Sequence, residues 1–137
     1  PSGRSKIGLI QVKDYGIISY LNKKDSKKIG ELIFWALNES DNEKIEDEVN
    51  VQWCKQYFNC SSNLKVVNEY NNIGFEFFEN KYTIYLKMKD GRGYSPFKDE
   101  NGNIVEYNFP EKPTALELGT KVMEMFEYKE RYDGLIE

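Results

Sequence analysis

Apolar residues recur every three or four positions in parts of this chain and every second position in others. Between Asp25 or Ser26 and about Glu39, the residues Ile29, Leu32, Ile33, Ala36 and Leu37 share one side of a helix. The tetrad Thr114–Glu117 has the T-x-x-E form of a capping box, and Pro113 just before it marks the start of a helix reaching about Tyr132. A shorter helix is predicted over Ser61–Asn71, with Ser61 or Ser62 as its cap and Leu64, Val67 and Tyr70 on one side. Strands are predicted at Lys6–Lys13, at Tyr15–Leu21 beyond Asp14, and at Ile104–Phe109. Ile73–Phe78 and Tyr82–Lys89 read as a hairpin turning near Asn80. In its second strand Tyr82, Ile84, Leu86 and Met88 face one way, and Thr83, Tyr85 and Lys87 face the other. Val51–Phe58 fits strand or helix. Ser40–Asn50 is the most acidic stretch and reads as a solvated loop. Asp90–Asn103 reads as a long polar connection holding an isolated Gly93–Phe97 segment. The expected architecture is α+β, a mostly antiparallel sheet with packed helices, in one domain over residues 1–137.

A weak internal echo sharpens this picture. Tyr20, Asp25, Ile29-Gly30, Ile33, Ala36 and Leu37 recur at a constant offset as Phe109, Thr114, Leu118-Gly119, Val122, Met125 and Phe126. Each copy predicts a strand, a loop, a capped helix and a glycine in the second helical turn. Glycine within a helix costs about 1 kcal/mol relative to alanine. Its appearance at the same place twice predicts that each helix approaches other backbone closely there. The buried contacts should run through Ile29, Leu32, Ile33, Leu37, Leu118, Val122 and Phe126.

Composition narrows the chemistry. The 137 residues are 39% hydrophobic and 15% aromatic, enough for one modest core. The longest apolar blocks, Leu32–Leu37 and Ile73–Phe78, are far shorter than the roughly 18 residues of a membrane span, and no secretory leader is evident. A net charge of −4 argues against direct nucleic-acid binding driven by phosphate neutralisation. Histidine is absent, which removes the commonest general base and metal ligand. Cys54 and Cys60 lack C-x-x-C spacing and read as reduced packing residues. Gly91-Arg92-Gly93 reads as a turn, since a phosphate loop needs a third glycine. Asp99-Glu100-Asn101-Gly102 matches part of a calcium loop, but Phe97 stands where its first ligand belongs. Neither a catalytic residue, a metal nor a cofactor is expected. The competing readings are a binding protein, a non-catalytic adaptor of a secretion or phage system, and a carboxylate- and metal-dependent phosphoesterase.

The aromatic residues leave two readings open. Trp35 lies off the predicted helical stripe, and Tyr94 and Phe97 fall in a polar connection. They are either exposed anchors for a protein partner or a satellite cluster under the loop.

The stretch Asp25–Ile33 continuing to Ala36-Leu37 and Ser40, with its second copy Leu116–Val122, resembles the recurring helix of bacterial contact-dependent growth inhibition immunity proteins. The order of the middle section is similar too: a cysteine-containing stretch, a hairpin, a Gly-Tyr-Ser-Pro loop, a strand and a final helix. The resemblance covers roughly residues 15–129. It departs at the end of the second helix, where Glu127, Tyr128 and Lys129 replace a small residue and cysteine. The resemblance implies a cytoplasmic antidote without catalytic residues, whose partner is the C-terminal domain of a toxin, commonly a nuclease. A nuclease needs a basic surface, so an acidic antidote gains steering and complementarity. On that reading the toxin-binding residues are Glu76, Glu79, Asp90, Tyr94, Phe97, Asp99 and Glu100, with Tyr94 and Phe97 as anchors and the acids as rim. The strand Tyr82–Lys89 offers a free edge for a toxin strand. The acidic loop Asp41–Glu48 is the rival surface.

One stability expectation follows from the helical stripe. If Leu37 is buried, Leu37→Ala should cost about 2–5 kcal/mol in chemical unfolding, and a change within about 0.5 kcal/mol would place the buried face elsewhere.

Overall fold

Two helices, α1 (Ser26–Asn38) and α4 (Ala115–Tyr132), cross at their first turns in a computed structural model that describes residues 2–4, 10–12, 15–19, 21–22, 24–41, 43 and 53–137. The crossing is reciprocal. A Cβ placed on Gly30 would lie 1.8 Å from the carbonyl oxygen of Ala115, and one on Gly119 would lie 1.6 Å from that of Ser26. Each helix therefore sets its own first residue against the other's glycine, where only a Cα hydrogen fits. Residue numbers rise in one helix as they fall in the other, so the contact has an approximate two-fold character. The repeated glycine is explained by this approach, as the echo predicts.

The two N-termini are completed differently. Thr114 Oγ1 accepts the Glu117 N–H at 3.1 Å, which caps α4. Asp25 occupies the equivalent place before α1 but makes no side-chain cap; its Oδ2 accepts the Asn22 N–H at 3.1 Å instead. At α4's other end Lys129 pairs with Asp133.

Both helices lie on one face of a four-stranded antiparallel sheet, so the α+β expectation holds. Its strands are β3 (Asn72–Phe78), β4 (Lys81–Asp90), β5 (Gly93–Pro96) and β6 (Glu106–Phe109). The central strand is β4. It pairs with β3 along one side, from Asn72 opposite Lys87 to Phe78 opposite Lys81. Along its other side it pairs first with β5, from Lys87 to Asp90, and then with β6, from Tyr82 to Tyr85. Between β5 and β6 the chain leaves the sheet in a small hairpin bridged by Lys98 and Ile104. The predicted free edge at Tyr82–Lys89 is therefore corrected: β4 is paired on both sides, and β3 carries the edge. The expected isolated segment at Gly93–Phe97 is strand β5 followed by the core residue Phe97.

Alternation along β4 places Ile84 and Leu86 under the helices, both 0% exposed. Leu118, Val122 and Met125 of α4 complete the buried cluster with Ile84 and Phe109, and Ile29, Ile33, Phe34 and Phe126 pack against it. The predicted stripe omits Phe34, whose ring meets Phe75 edge-on at 5.9 Å. Leu32 and Leu37 are half-buried and line a cavity, so Leu37→Ala belongs at the low end of its expected range, about 2 kcal/mol.

The remaining elements are short. β1 (Ser2–Arg4) pairs antiparallel with β2 (Ile10–Val12) as a separate two-stranded sheet. Of the predicted strand Lys6–Lys13, only Ile10–Val12 lies within the described residues. The described part of Tyr15–Leu21 has no strand pairing, and Tyr20 lies outside it. Val51 and Gln52 also lie outside, as do residues 42 and 44–50 of the acidic loop; α2 (Trp53–Gln56) resolves the ambiguous stretch as a helical turn. α3 (Asn63–Glu69) is capped by Ser62, whose Oγ accepts the Lys65 N–H at 3.3 Å.

The crossing generates two predictions. Gly30→Ala and Gly119→Ala should each destabilise the protein by about 2–3 kcal/mol in urea unfolding, because backbone rather than a flexible side chain occupies the space. A gain of about 1 kcal/mol, the bare helix-propensity benefit, would show that the helices do not approach so closely. Leu118→Ala should cost about 4–5 kcal/mol, since its side chain is fully enclosed.

Candidate protein-binding surface

The predicted site residues fall in three places. Glu76 is exposed on the sheet face opposite the helices, and Glu79 occupies the β3–β4 turn. Asp90 and Tyr94 sit at the other end of β4, which is roughly 30 Å long. Asp99 and Glu100 lie in the hairpin that projects sideways between β5 and β6. One compact patch cannot contain all of them.

Their side chains have different tasks. Phe97 is 2% exposed, and its ring meets Tyr128 and Tyr132 edge-on at 6.1 and 4.9 Å. It is a core residue and not an exposed anchor, because its backbone N–H donates to Leu86 O at 2.9 Å and turns the side chain under α4. The Tyr94 hydroxyl donates to the Tyr70 carbonyl at 2.9 Å, tying β5 to the end of α3, and burial pushes its pKa up. Asp99 Oδ1 accepts the N–H groups of Asn101 and Asn103, each at 2.9 Å, so its carboxylate organises the turn. Asp90 and Glu100 remain exposed. Of the rival loop, Asp41 and Glu43 are described and both exposed.

The tip of the β3–β4 hairpin is the place where acids and aromatics do meet. Phe77 and Phe78 are 47% and 68% exposed, between Glu76 and Glu79. Phe77 stacks on Tyr82 at 4.4 Å at the end of the core-facing row, while Phe78 projects from the opposite face. The turn is tight. Glu79 and Asn80 have φ of 48° and 61°, the two positive values of a type I′ turn, without the glycine that usually supplies one of them. Glu79 lies in the two-residue bend itself, and Glu76, Phe77 and Phe78 lead into it along β3.

The sequence signal for this tip is the run Phe75-Glu76-Phe77-Phe78-Glu79. Adjacent strand residues point to opposite faces, so Phe77 and Phe78 cannot both enter one core. Taken as a single apolar block, Ile73–Phe78 conceals that signal.

The sheet face away from α1 and α4 carries α3 at its β5 end, where Lys89 bonds Asn68 and Tyr94 bonds the Tyr70 carbonyl. Tyr85 lies over Gly74, where a Cβ would come within 2.3 Å of its ring. Burial, and then the charge of Glu76, raise the Tyr85 pKa. Beside it Thr83 Oγ1 hydrogen-bonds Asn108 Oδ1 at 2.7 Å. Among the described residues no group of three or more Cys, Asp and Glu could share a metal ion, and no helix is long and apolar enough to cross a membrane. No protein-family model, curated protein or solved structure matches the chain.

Proposed function

We propose that this chain is an immunity protein of the contact-dependent growth inhibition type, a cytoplasmic antidote that binds and blocks a nuclease toxin domain. The observation that carries the reading is the hairpin tip. Two exposed aromatic rings flanked by two acids, on a rigid turn, have the makeup of a protein-binding hot spot with a charged rim. The family resemblance of α1 and α4 supplies the class of partner. Phe77 and Phe78 replace Tyr94 and Phe97 as anchors, and Glu76 and Glu79 are retained as rim. In this role the rings bury apolar area against the toxin, and the carboxylates steer its basic substrate surface into contact.

The test is calorimetric titration of the chain with the toxin domain encoded beside it, alongside a nuclease-protection assay. Phe77→Ala combined with Phe78→Ala should weaken binding at least about tenfold and lose protection. Glu76→Gln with Glu79→Gln should mainly slow association and flatten its salt dependence. An affinity within about threefold of the unaltered chain for the aromatic double variant would place the interface elsewhere, with the 41–48 loop as the next surface to neutralise.

A further inference from the structure

Cys54 and Cys60 are both free, and the backbone brings them together. The Cys54 carbonyl, in the single turn of α2, accepts the Cys60 N–H at 2.6 Å. Covalent backbone dimensions then keep the two Cα atoms within about 6.5 Å of one another. Disulfides span Cα separations of about 4.4–6.8 Å. The intervening and following residues build this approach. Asn59 has a φ of 49°, a left-handed conformation that asparagine tolerates, and it turns the chain back toward α2. The Cys54 N–H donates to Asn63 Oδ1 at 3.2 Å. Both backbone polar groups of Cys54 are therefore held by residues beyond the loop's return.

The two thiols are placed differently. Cys54 is 5% exposed, whereas Cys60 is half-buried and its thiol donates to the Phe58 carbonyl at 3.3 Å. A thiol is a weak donor, so rotation about the Cys60 side chain gives up little. A small oxidant can reach Cys60, and the shielded Cys54 waits beside it. An accessible thiol next to a second, resolving thiol is the arrangement of a reversible redox pair.

We propose that Cys54 and Cys60 form a reversible disulfide by exchange with a low-molecular-weight disulfide such as oxidised glutathione. The Cys60 thiolate attacks one sulfur of that oxidant, breaks its S–S bond and releases one glutathione thiolate. The Cys54 thiolate then attacks Cys60 Sγ in the mixed disulfide and expels the second. The cysteine pair gives up two electrons and two protons, and the oxidant becomes two molecules of glutathione thiol. The new bond closes Lys55–Asn59 into a ring. Within it Tyr57 and Phe58 line a cavity of about 560 Å³, and the Phe58 ring meets that of Tyr70 at 4.6 Å. Oxidation thus fixes one wall of this cavity covalently, where the reduced chain holds the loop by hydrogen bonds and ring contacts.

The test equilibrates the full chain in graded mixtures of reduced and oxidised glutathione, blocks remaining thiols by alkylation in acid quench, and reads intact mass. Folding has already closed the loop, so the equilibrium constant for forming the disulfide should be about tenfold or more higher in the native chain than in urea. Cys54→Ser should stop at a single glutathione adduct on Cys60, and folded Cys60→Ser should resist modification. In the oxidised chain the Cys60 amide should exchange at least about tenfold more slowly, with the Leu86 amide, bonded to Val105 O, as the reference for an unchanged fold. A native constant at or below that of the unfolded chain would overturn the pair, because it would show that the side chains cannot meet. So would a disulfide that joins two chains, or an unchanged Cys60 amide in the oxidised protein.

Discussion

Backbone meets backbone where α1 and α4 trade glycine for carbonyl. Helices separated by ordinary side chains keep their axes about 8–10 Å apart. The Gly30 and Gly119 contacts leave no room for even one methyl group at the crossing. This fixes the helix pair as a unit before the sheet is considered. It sets Ile29, Ile33, Leu118 and Val122 at one depth, so that Ile84 and Leu86 of β4 can lie beneath both helices. The helix-propensity cost of two glycines is small beside the apolar area that this geometry removes from water.

The two long edges of the sheet are treated unequally, and the inequality traces back to α4. That helix continues for 18 residues and carries Tyr128 and Tyr132 beyond the sheet's midpoint, where they receive Phe97. The chain keeps its bond to β4 through the Phe97 N–H on Leu86 O, then leaves the sheet after Phe97 and returns at Val105, whose carbonyl accepts the Leu86 N–H. The β5/β6 edge is thereby split into two short strands with a hairpin between them, which blunts it against foreign strands. α1 is shorter, ends at Asn38, and has no counterpart to that aromatic pair. The edge on its side remains a single seven-residue strand. A core requirement at one end of α4 thus decides which side of the sheet can accept another strand.

Much of this is legible in the sequence where local rules act alone. The glycine echo locates the crossing, Thr114 and Ser62 mark caps, and alternation gives the correct faces of β4. Legibility ends where a local rule meets a tertiary alternative. Asp25 is a good capping residue by type, but Asn22 offers its carboxylate a competing N–H. Tyr94 and Phe97 sit among polar and glycine residues, which suggests exposure; their rings are drawn in by Tyr70 O and by α4, contacts separated from them by more than twenty residues in sequence. The residues expected in one binding patch are near one another in sequence, whereas a ten-residue strand carries its two ends far apart.

The hairpin tip shows why the aromatic content exceeds what the core holds. Position 75 supplies the ring that Phe34 and Tyr82 enclose. Position 77 shares the same face nearer the turn, where it stacks on Tyr82 and stays 47% exposed. Position 78 is on the opposite face and stays 68% exposed. Phe77 and Phe78 keep 47% and 68% of their surface exposed, so burial within the domain accounts for only part of their apolar area. A rigid turn that presents both between carboxylates limits the entropy lost when a partner covers them. On the proposed reading, the energetic return on Phe77 and Phe78 comes from an intermolecular contact, and the acids beside them favour a partner whose own surface is basic.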